Sequence, residues 1–211
     1  MQQIIDGQYE IINTIHSKIS SSVYYGRNIK TEEFCVIKEI DIKSPDLLFD
    51  SIIRFKNKVD TILKLDHPYI NKFYSAFISE KKFYIITEYF KGENLSLCFK
   101  NFSLYERIEI IKKCAEALDY IHSFDITHHD MRPVNILVTK NTSIDIRLID
   151  FGLSYFLNSQ SLIEQESALG IIKYLSPEQT GFLKRNIDFR SDLYSLGIIF
   201  YELITGEVPF I

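Results

Sequence analysis

One stretch of the sequence decides the predicted fold: Thr127-His-His-Asp-Met-Arg-Pro-Val-Asn-Ile-Leu-Val138, which continues to Leu148-Ile-Asp-Phe-Gly152. The apolar residues 136–138 predict a short strand, and the alternation of apolar and charged residues over 144–148 predicts a second strand. Polar turn residues lie between them. The stretch therefore predicts a loop, a β-hairpin and a second loop.

The predicted hairpin would bring three polar side chains together. It returns Asp150 to a position beside Asn135, and Asp130 lies in the loop that leads into the first strand. Two oxygen ligands separated by a turn suit a hard cation such as Mg²⁺, and a nearby carboxylate could accept a hydroxyl proton. These are the groups that phosphoryl transfer requires.

Both loops resemble motifs of the protein kinases. Residues 128–135 are similar to the catalytic loop His-Arg-Asp-x-Lys-Pro-x-Asn, and residues 150–152 match the Asp-Phe-Gly motif. The resemblance covers about residues 8–211 and implies an α+β, two-lobed protein-kinase-like fold. Residues 1–90 would form the N-lobe, a small antiparallel sheet with one helix. Residues 91–211 would form a mostly helical C-lobe that is truncated at its C-terminal end.

The resemblance implies a role for each polar residue of the two loops. Asp130 would accept the proton of the substrate hydroxyl. Asn135 and Asp150 would hold Mg²⁺ on the phosphates of ATP. Arg132 replaces the lysine typical of Ser/Thr kinases and would lie near the transferred phosphate.

The N-terminal part of the chain predicts a small antiparallel sheet, with strands over residues 9–15, 23–28 and 34–40. Lys38 lies in the third strand, and its context Cys-Val-Ile-Lys resembles the Val-Ala-Ile-Lys motif of the kinases. The resemblance implies that Lys38 binds the α and β phosphates. Taken alone, a lysine in a strand is usually a solvated edge charge.

Two further strands, over residues 73–79 and 83–87, precede a segment that resembles the hinge between kinase lobes, residues 87–92. The resemblance implies that backbone groups of Glu88 and Phe90 bind adenine. It also implies apolar walls for the adenine site, although the same residues taken alone are ordinary core positions: Val23, Val36 and Leu137.

The glycines with which kinases cover the phosphates are absent. Counted back from Val23, their positions are occupied by His16, Lys18 and Ser21. Glycine is favoured there because it permits positive φ and a close approach of the backbone to an anion. We expect either weaker, altered nucleotide binding through hydroxyls and one positive charge, or a polar hairpin loop that covers nothing.

A second departure lies in the predicted N-lobe helix, which begins at residues 44–46 and ends at residues 66–68. The glutamate that pairs with Lys38 in the family aligns with Lys58. Like charges would face each other, so we expect the helix to rotate or swing out. Replacing Lys58 by glutamate would then raise ATP affinity or the transfer rate.

A long C-lobe helix begins with a capping box formed by Ser103 and Glu106. His122 and His128 are interpreted as scaffold residues. The predicted buried face of the helix comprises five residues at helical spacing: Leu104, Ile108, Ile111, Ala115 and Leu118.

Residues 170–178 resemble the activation segment that ends in Ala-Pro-Glu. His129 replaces the arginine that would receive a phosphate, and Ile171 replaces a threonine, so switching by loop phosphorylation is not expected. Asp192 would anchor the catalytic loop from the next helix, which is apolar on most sides and therefore predicted to lie in a core. Glu178 would pair with an arginine beyond residue 211.

Residues 176–197 are similar to the kinase domain that opens large bacterial proteins combining a Ser/Thr kinase, an ATPase module and a histidine kinase. A full kinase domain continues with further helices. We therefore expect either a fragment of a longer protein with further domains or a truncated gene product.

Composition narrows the possible functions. Hydrophobic residues make up 46% of the chain, the net charge is −4, and no Lys/Arg-rich run occurs, which disfavours nucleic-acid binding as the main task. Three cysteines without a C-x-x-C pair disfavour a disulfide framework and a zinc site. No apolar run long enough for a membrane span and no secretory leader are present. These features predict a cytoplasmic protein.

The expected function is an ATP- and Mg²⁺-dependent kinase, in degenerate form, that phosphorylates Ser or Thr of a protein substrate. The retained Lys38, Asp130, Asn135 and Asp150 favour it. The alternative is a pseudokinase that serves as a nucleotide-binding, scaffold or regulatory module, which the departures from the family pattern favour. A purely structural interaction domain would leave the four retained polar residues unexplained.

Overall fold

The structure, a computed structural model, describes residues 3–19, 21–42, 59–151, 170, 172–180 and 186–210. The chain divides into two compact units. The first comprises residues 1–65 and 71–90, and the second comprises residues 66–70 and 91–211. Several predictions concern positions outside the described residues: the helix start at 44–46, Lys58, Gly152 and Ile171.

The described part of the first unit contains six strands: β1 (Ile4–Ile5), β2 (Tyr9–Ser17), β3 (Ser21–Asn28), β4 (Phe34–Asp41), β5 (Phe73–Ser79) and β6 (Lys82–Glu88). They form one antiparallel sheet in the order β1-β2-β3-β4-β6-β5. Five of these strands were predicted, with ends that differ by at most two residues. The two-residue strand β1 is too short to show a sequence pattern.

One face of this sheet forms the core of the first unit. Gly26 of β3 lies there in close contact with the neighbouring strands. A Cβ atom at this position would lie 2.6 Å from the side chain of Ile37 and 2.7 Å from the backbone oxygen of Glu10. The buried apolar residues of this face are Ile5, Tyr9, Cys35, Ile37, Tyr84 and Ile86.

Among the described residues, the second unit combines a three-stranded antiparallel sheet with three α-helices that lie entirely within the described ranges. The strands β7 (Glu93–Asn94), β8 (Ile136–Lys140) and β9 (Ile144–Leu148) pair in the order β7-β8-β9. The predicted hairpin is thus confirmed as β8 and β9. The helices are α1 (Leu95–Cys98), α2 (Leu104–His122) and α3 (Phe189–Thr205), with 3₁₀ turns at Phe99–Asn101 and Pro133–Asn135.

Helix α2 begins at the predicted capping box. Ser103 accepts a hydrogen bond from the Glu106 N–H, and the Glu106 carboxylate accepts one from the Ser103 N–H. The predicted buried face is wrong for Leu104, which is 55% exposed, and for Ile108, which is 46% exposed, and is right for Leu118. The helix has apolar residues on more than one stripe, and the stripe that packs on β9 and α3 is the buried one. It comprises Ile110, Cys114, Ala117, Leu118 and Ile121.

Helix α3 begins at Asp188, whose side chain accepts a hydrogen bond from the Arg190 N–H, and ends before Gly206 at φ 88°. This helix contributes Leu196, Ile199 and Leu203 to the core, as predicted, whereas Leu193 is 49% exposed and Ile204 is 44% exposed among the described residues. Its buried face also carries polar residues that hold the loops described below. None of the described helices is long and apolar enough to cross a membrane.

The three cysteines are free thiols in buried positions. Burial raises the pKa of Cys35 to about 11 and also raises the pKa of Cys98 and of Cys114. Because the thiolate is the reactive form, these side chains act as core residues at neutral pH.

Candidate active site

Asp192 of α3 anchors the loop that follows α2. Its buried carboxylate accepts hydrogen bonds from the backbone N–H of His128 at 2.7 Å and of His129 at 2.8 Å, and lies 2.8 Å from Nε2 of His122. Burial alone would raise the pKa of Asp192, but the bond with His122 and the nearby donors outweigh burial and lower it. The predicted anchor is therefore confirmed.

His128 is completely buried beneath this loop. Its Nδ1 accepts a hydrogen bond from the Asp130 N–H at 3.3 Å, whereas its Nε2 has no hydrogen-bond partner among the described residues. Burial lowers the pKa of His128, so the ring is neutral at pH 7. Its centroid lies 6.3 Å from that of the equally buried Phe151. These contacts favour a scaffold role for His128.

The Asp130 carboxylate is held on both oxygens. Arg132 donates from Nε to Oδ1 at 2.6 Å and from Nη2 to Oδ2 at 2.9 Å. Asn135 donates from Nδ2 to Oδ2 at 2.8 Å and to the Asp130 carbonyl at 2.7 Å. The structure thus brings these three predicted site residues into one cluster. The Asp130 side chain remains 25% exposed, which leaves it accessible to another molecule.

The β8–β9 hairpin returns the chain to this cluster, because the Ile149 N–H donates to the Asn135 carbonyl at 3.0 Å. Asp150 follows at φ 62°, in the left-handed region that aspartate adopts more readily than most residues. Since Asn135 donates through Nδ2, its Oδ1 is the atom left to bind a cation, and Asp150 adds a carboxylate. This donor set suits a hard cation such as Mg²⁺.

A cation at this position would need further ligands. Within the described ranges, no group of three or more His, Cys, Asp or Glu residues is placed to hold a metal ion. Mg²⁺ usually keeps several waters and is held by one or two carboxylates together with substrate phosphates. A cation held by Asn135 and Asp150 would therefore take its remaining ligands from water or from a bound phosphate.

Three residues predicted to contact nucleotide lie on one face of the first unit's sheet. Lys38 in β4 is directly opposite Val23 in β3, and Val36 is two residues before Lys38 on the same strand. Directly opposed residues share a face, and so do residues two apart on one strand. All three are half-buried, whereas the intervening Ile37 points into the core.

The other predicted nucleotide-binding residues are divided between the units. In the first unit Glu88 ends β6, where its N–H donates to the Lys72 carbonyl at 2.9 Å and its carbonyl accepts from Nδ2 of Asn71 at 3.4 Å. The carbonyl has a second lone pair for a ligand, but the N–H is already engaged. Phe90 is half-buried and follows two residues later. Leu137 lies half-buried on β8 of the second unit.

The turn that replaces the family's glycine loop is a tight polar hairpin between β2 and β3. The Lys18 N–H donates to the Ser21 carbonyl at 2.8 Å, and the hydroxyls of Ser17 and Ser22 lie 2.9 Å apart. Ile19 at the tip is fully exposed. The described residues of this turn do not adopt positive φ. At these described positions the backbone therefore lacks the conformation that lets a glycine loop bring its N–H groups onto phosphates.

Sequence analysis missed Gln179, which contacts the same loop as Asp192. Its Nε2 donates to the His129 carbonyl at 2.9 Å, and its Oε1 accepts from the N–H and the hydroxyl of Ser176, each at 3.0 Å. The preceding Glu178 accepts from the Ser191 hydroxyl at 2.5 Å. No local pattern indicates these partners, because Gln179 and His129 are 50 residues apart.

Comparison with known proteins places these features in a family. The protein kinase domain matches residues 9–211. A probable serine/threonine-protein kinase of Clostridium perfringens is 32% identical over 99% of the chain, and serine/threonine-protein kinase PrkC of Bacillus subtilis is 32% identical over 98%. An Aurora kinase of Candida glabrata is 34% identical over 89% of the chain. The chain spans 30%, 32% and 51% of the length of these relatives, respectively.

Solved structures agree with the fold. The crystal structure of the Mycobacterium tuberculosis PknI kinase domain, a double mutant, superimposes with a TM-score of 0.77 at 20% sequence identity. The match covers 100% of this chain and 80% of that domain. It confirms the predicted kinase-like fold, with an antiparallel sheet in the first unit and helices that predominate in the second.

Proposed function

This chain belongs to the protein kinase domain family, and on that basis we propose that it is a serine/threonine protein kinase that transfers the γ-phosphate of ATP to a protein hydroxyl. The observation that carries the proposal is the cluster in which Arg132 and Asn135 hold the accessible Asp130 carboxylate. The serine/threonine kinase names of two relatives that align over nearly the whole chain support the same conclusion.

In the proposed reaction Asp130 accepts the proton of the attacking hydroxyl. Asn135 orients the carboxylate from one side and also holds the Asp130 carbonyl, so the side chain starts from a fixed backbone. The guanidinium of Arg132 is a fork of donors that suits phosphate as well as carboxylate. When the γ-phosphate is present, Arg132 can bind its oxygens and stabilise the charge that develops during transfer.

Mg²⁺ is the proposed metal, and when bound it would neutralise charge on the ATP phosphates. Oδ1 of Asn135 and the carboxylate of Asp150 would hold it. The bond from the Ile149 N–H to the Asn135 carbonyl couples the backbone segments that carry these two ligands. Oxygen donors of this kind match the preference of Mg²⁺.

ATP is the proposed phosphate donor. In the first unit, which contains most of the predicted N-lobe (residues 1–90), the ammonium group of Lys38 would bind the α and β phosphates. The backbone contacts to adenine would use the carbonyl of Glu88, since its N–H is engaged, together with Phe90. The apolar contacts to adenine would come from Val23, Val36 and Leu137.

A second candidate function is a pseudokinase that binds nucleotide or partners without transferring phosphate. The β2–β3 turn favours it, because the bond between Lys18 and Ser21 closes a polar hairpin in place of a glycine loop. Such a turn offers hydroxyls and one ammonium group to the phosphates in place of the backbone N–H groups of a glycine loop. The affinity for ATP would therefore be lower. Both candidates use the same fold and differ in whether Asp130 acts on a bound substrate.

The wider setting of the domain is likewise a proposal. The chain spans about a third of the two bacterial relatives, so regulation by further domains of a longer protein is expected. The similarity of residues 176–197 to kinase–ATPase–histidine kinase proteins makes that arrangement the proposed context. The cytoplasm, where ATP is available, is the proposed location.

The deciding experiment measures transfer of γ-labelled phosphate to a Ser/Thr-rich test protein, with and without Mg²⁺, together with calorimetric ATP binding. The full chain and its Asp130→Asn variant are compared. Transfer that requires both Mg²⁺ and Asp130 supports the kinase. ATP binding without transfer by the unaltered chain supports the pseudokinase, and absence of both contradicts the two proposals.

A further inference from the structure

His129 connects the anchored part of the loop to Asp130, and its backbone has an unusual conformation. Its φ of 64° lies in the left-handed region, which residues with a Cβ rarely adopt. Such a conformation persists only when surrounding contacts hold it. A change in the peptide groups on either side of His129 would rotate Asp130, because Asp130 is the next residue.

Both peptide groups flanking His129 are held by side chains from distant parts of the second unit. On one side, the buried Asp192 accepts the His129 N–H at 2.8 Å. On the other side, Gln179 donates to the His129 carbonyl at 2.9 Å. The second of these peptide groups is the one that leads directly into Asp130, so Gln179 acts nearer to the reacting carboxylate than Asp192 does.

The two holding residues are themselves joined. Ser191, next to Asp192 on α3, donates its hydroxyl to Glu178 at 2.5 Å, and Glu178 is next to Gln179. Three hydrogen bonds and two pairs of adjacent residues therefore form a closed ring. It runs from His129 to α3, from α3 to Gln179 and from Gln179 back to His129. A ring of this kind restricts the loop more than a single contact, because both of its anchors are fixed to one helix.

The amide of Gln179 is also fixed in orientation. Its Oε1 accepts two hydrogen bonds from Ser176, one from the N–H and one from the hydroxyl. Rotating the amide would place its NH₂ group against the Ser176 N–H, a donor against a donor. Nε2 is thereby directed at the His129 carbonyl.

We propose that Gln179 is a positioning residue for Asp130, which it holds in place through the carbonyl of His129. The proposal rests on the proposed kinase function for its effect on transfer, but the restriction of the loop is a property of the structure alone. Residues 172–180 form the described end of the segment that resembles the activation segment. Movement in that segment would therefore reach Asp130 through one hydrogen bond.

The test compares three variants of the full chain. Gln179→Glu keeps an oxygen acceptor for Ser176 but replaces the donor with a second oxygen facing the His129 carbonyl. Gln179→Met has a similar size and removes the donor without adding charge. Thr180→Ala is the matched control, because it removes a hydroxyl bond to Pro177 in the same segment and leaves the contact with His129 in place.

The first readout is hydrogen exchange of peptides that contain the amides of His129 and Asp130. Both Gln179 variants are expected to exchange faster there, with unchanged exchange in α2, whereas Thr180→Ala should match the unaltered chain. The second readout is kinetic: kcat should fall by at least about tenfold with little change in the KM for ATP, as expected for misplacement of a reacting group.

The outcomes separate this inference from the proposed function. Unchanged exchange at His129 and Asp130 in both well-folded Gln179 variants overturns the inference, whether or not the chain transfers phosphate. Faster exchange in a chain that transfers no phosphate retains the inference and contradicts the kinase proposal. Faster exchange with an unchanged kcat would show that the contact restrains the loop without positioning Asp130 for transfer, which also overturns the proposed role.

Discussion

Arg132 engages both oxygens of Asp130, with Nε 2.6 Å from Oδ1 and Nη2 2.9 Å from Oδ2. The same spacing of aspartate and arginine occurs on β9, where Nη1 of Arg147 lies 3.1 Å from each carboxylate oxygen of Asp145. The two pairs have similar chemistry, but only the first lies in the catalytic loop. The second pair therefore supplies internal controls for variants of the first.

We predict that Arg132→Met lowers phosphate transfer, because an apolar side chain of similar length donates no hydrogen bond to the Asp130 carboxylate or to a phosphate. The loss should be roughly tenfold or more, the range expected for a displaced reacting group. The measurement is kcat for the test protein at saturating ATP. Arg147→Met is the control and should leave kcat unchanged. Equal losses in the two variants would mean that Arg132 contributes only to general stability.

We predict that Asp130→Asn abolishes phosphate transfer and leaves ATP binding nearly unchanged. The amide cannot accept the hydroxyl proton, and loss of a general base costs on the order of 10²–10⁴-fold in rate. Transfer is measured with labelled ATP and binding by calorimetry. Asp145→Asn on β9 is the control for removing a carboxylate that pairs with arginine. Transfer at the normal rate by the Asp130 variant would disprove its assignment as the proton acceptor.

Local sequence patterns predicted much of the fold and of the catalytic loop. The β8–β9 hairpin and the strands β2 to β6 follow from alternation within a few residues, and the capping box of α2 follows from two residues three apart. Asp130, Arg132 and Asn135 form one cluster because they lie within a single short loop. Their proximity could therefore be predicted from the local sequence alone.

Contacts between distant segments were not predictable from local patterns. Gln179 donates a hydrogen bond to His129, which is 50 residues away in the sequence. Nothing in the sequence around Gln179 distinguishes this residue from an exposed glutamine. The buried stripe of α2 was assigned to Leu104 and Ile108 because spacing alone cannot decide which apolar stripe meets β9 and α3. The effect of Lys58 stays a prediction, since that residue lies outside the described part of the chain.

We predict that the chain loses stability as the pH falls from about 6.5 to about 5.5, chiefly because of the buried His128 and two half-buried histidines. Burial lowers the pKa of His128 below its usual 6.5 and also lowers the pKa of His67 and of His129. Below pH 6.5 the unfolded chain therefore binds more protons than the folded chain does. This contribution to stability is complete above pH 6.5 and decreases as the pH falls below it.

The control for this pH effect is His128→Asn, which retains an acceptor near the Asp130 N–H and cannot titrate. Its free energy of unfolding should depend less steeply on pH over the same range, whatever its absolute value. The lowered pKa values of Asp192 and Glu178 affect stability only at more acidic pH, because both are carboxyl groups. An identical pH dependence in the variant and the unaltered chain would contradict the assignment to His128.

Replacing Gly26 by alanine tests whether close packing stabilises the first unit, and replacing Gly197 of α3 is the matched change. In Gly26→Ala the new Cβ would lie 2.6 Å from Cδ1 of Ile37 and 2.7 Å from the Glu10 carbonyl oxygen, so the backbone of β2 would have to move. We predict a loss of about 1–3 kcal/mol in the free energy of unfolding, the usual cost of overpacking.

Gly197→Ala is the matched change in α3, where the new Cβ lies more than 4 Å from any other atom considered. It should add about 0.5–1 kcal/mol, because alanine stabilises a helix interior relative to glycine. Denaturant unfolding of both variants measures the two effects, and a neutral or stabilising Gly26→Ala would contradict the close contact between β2 and β3.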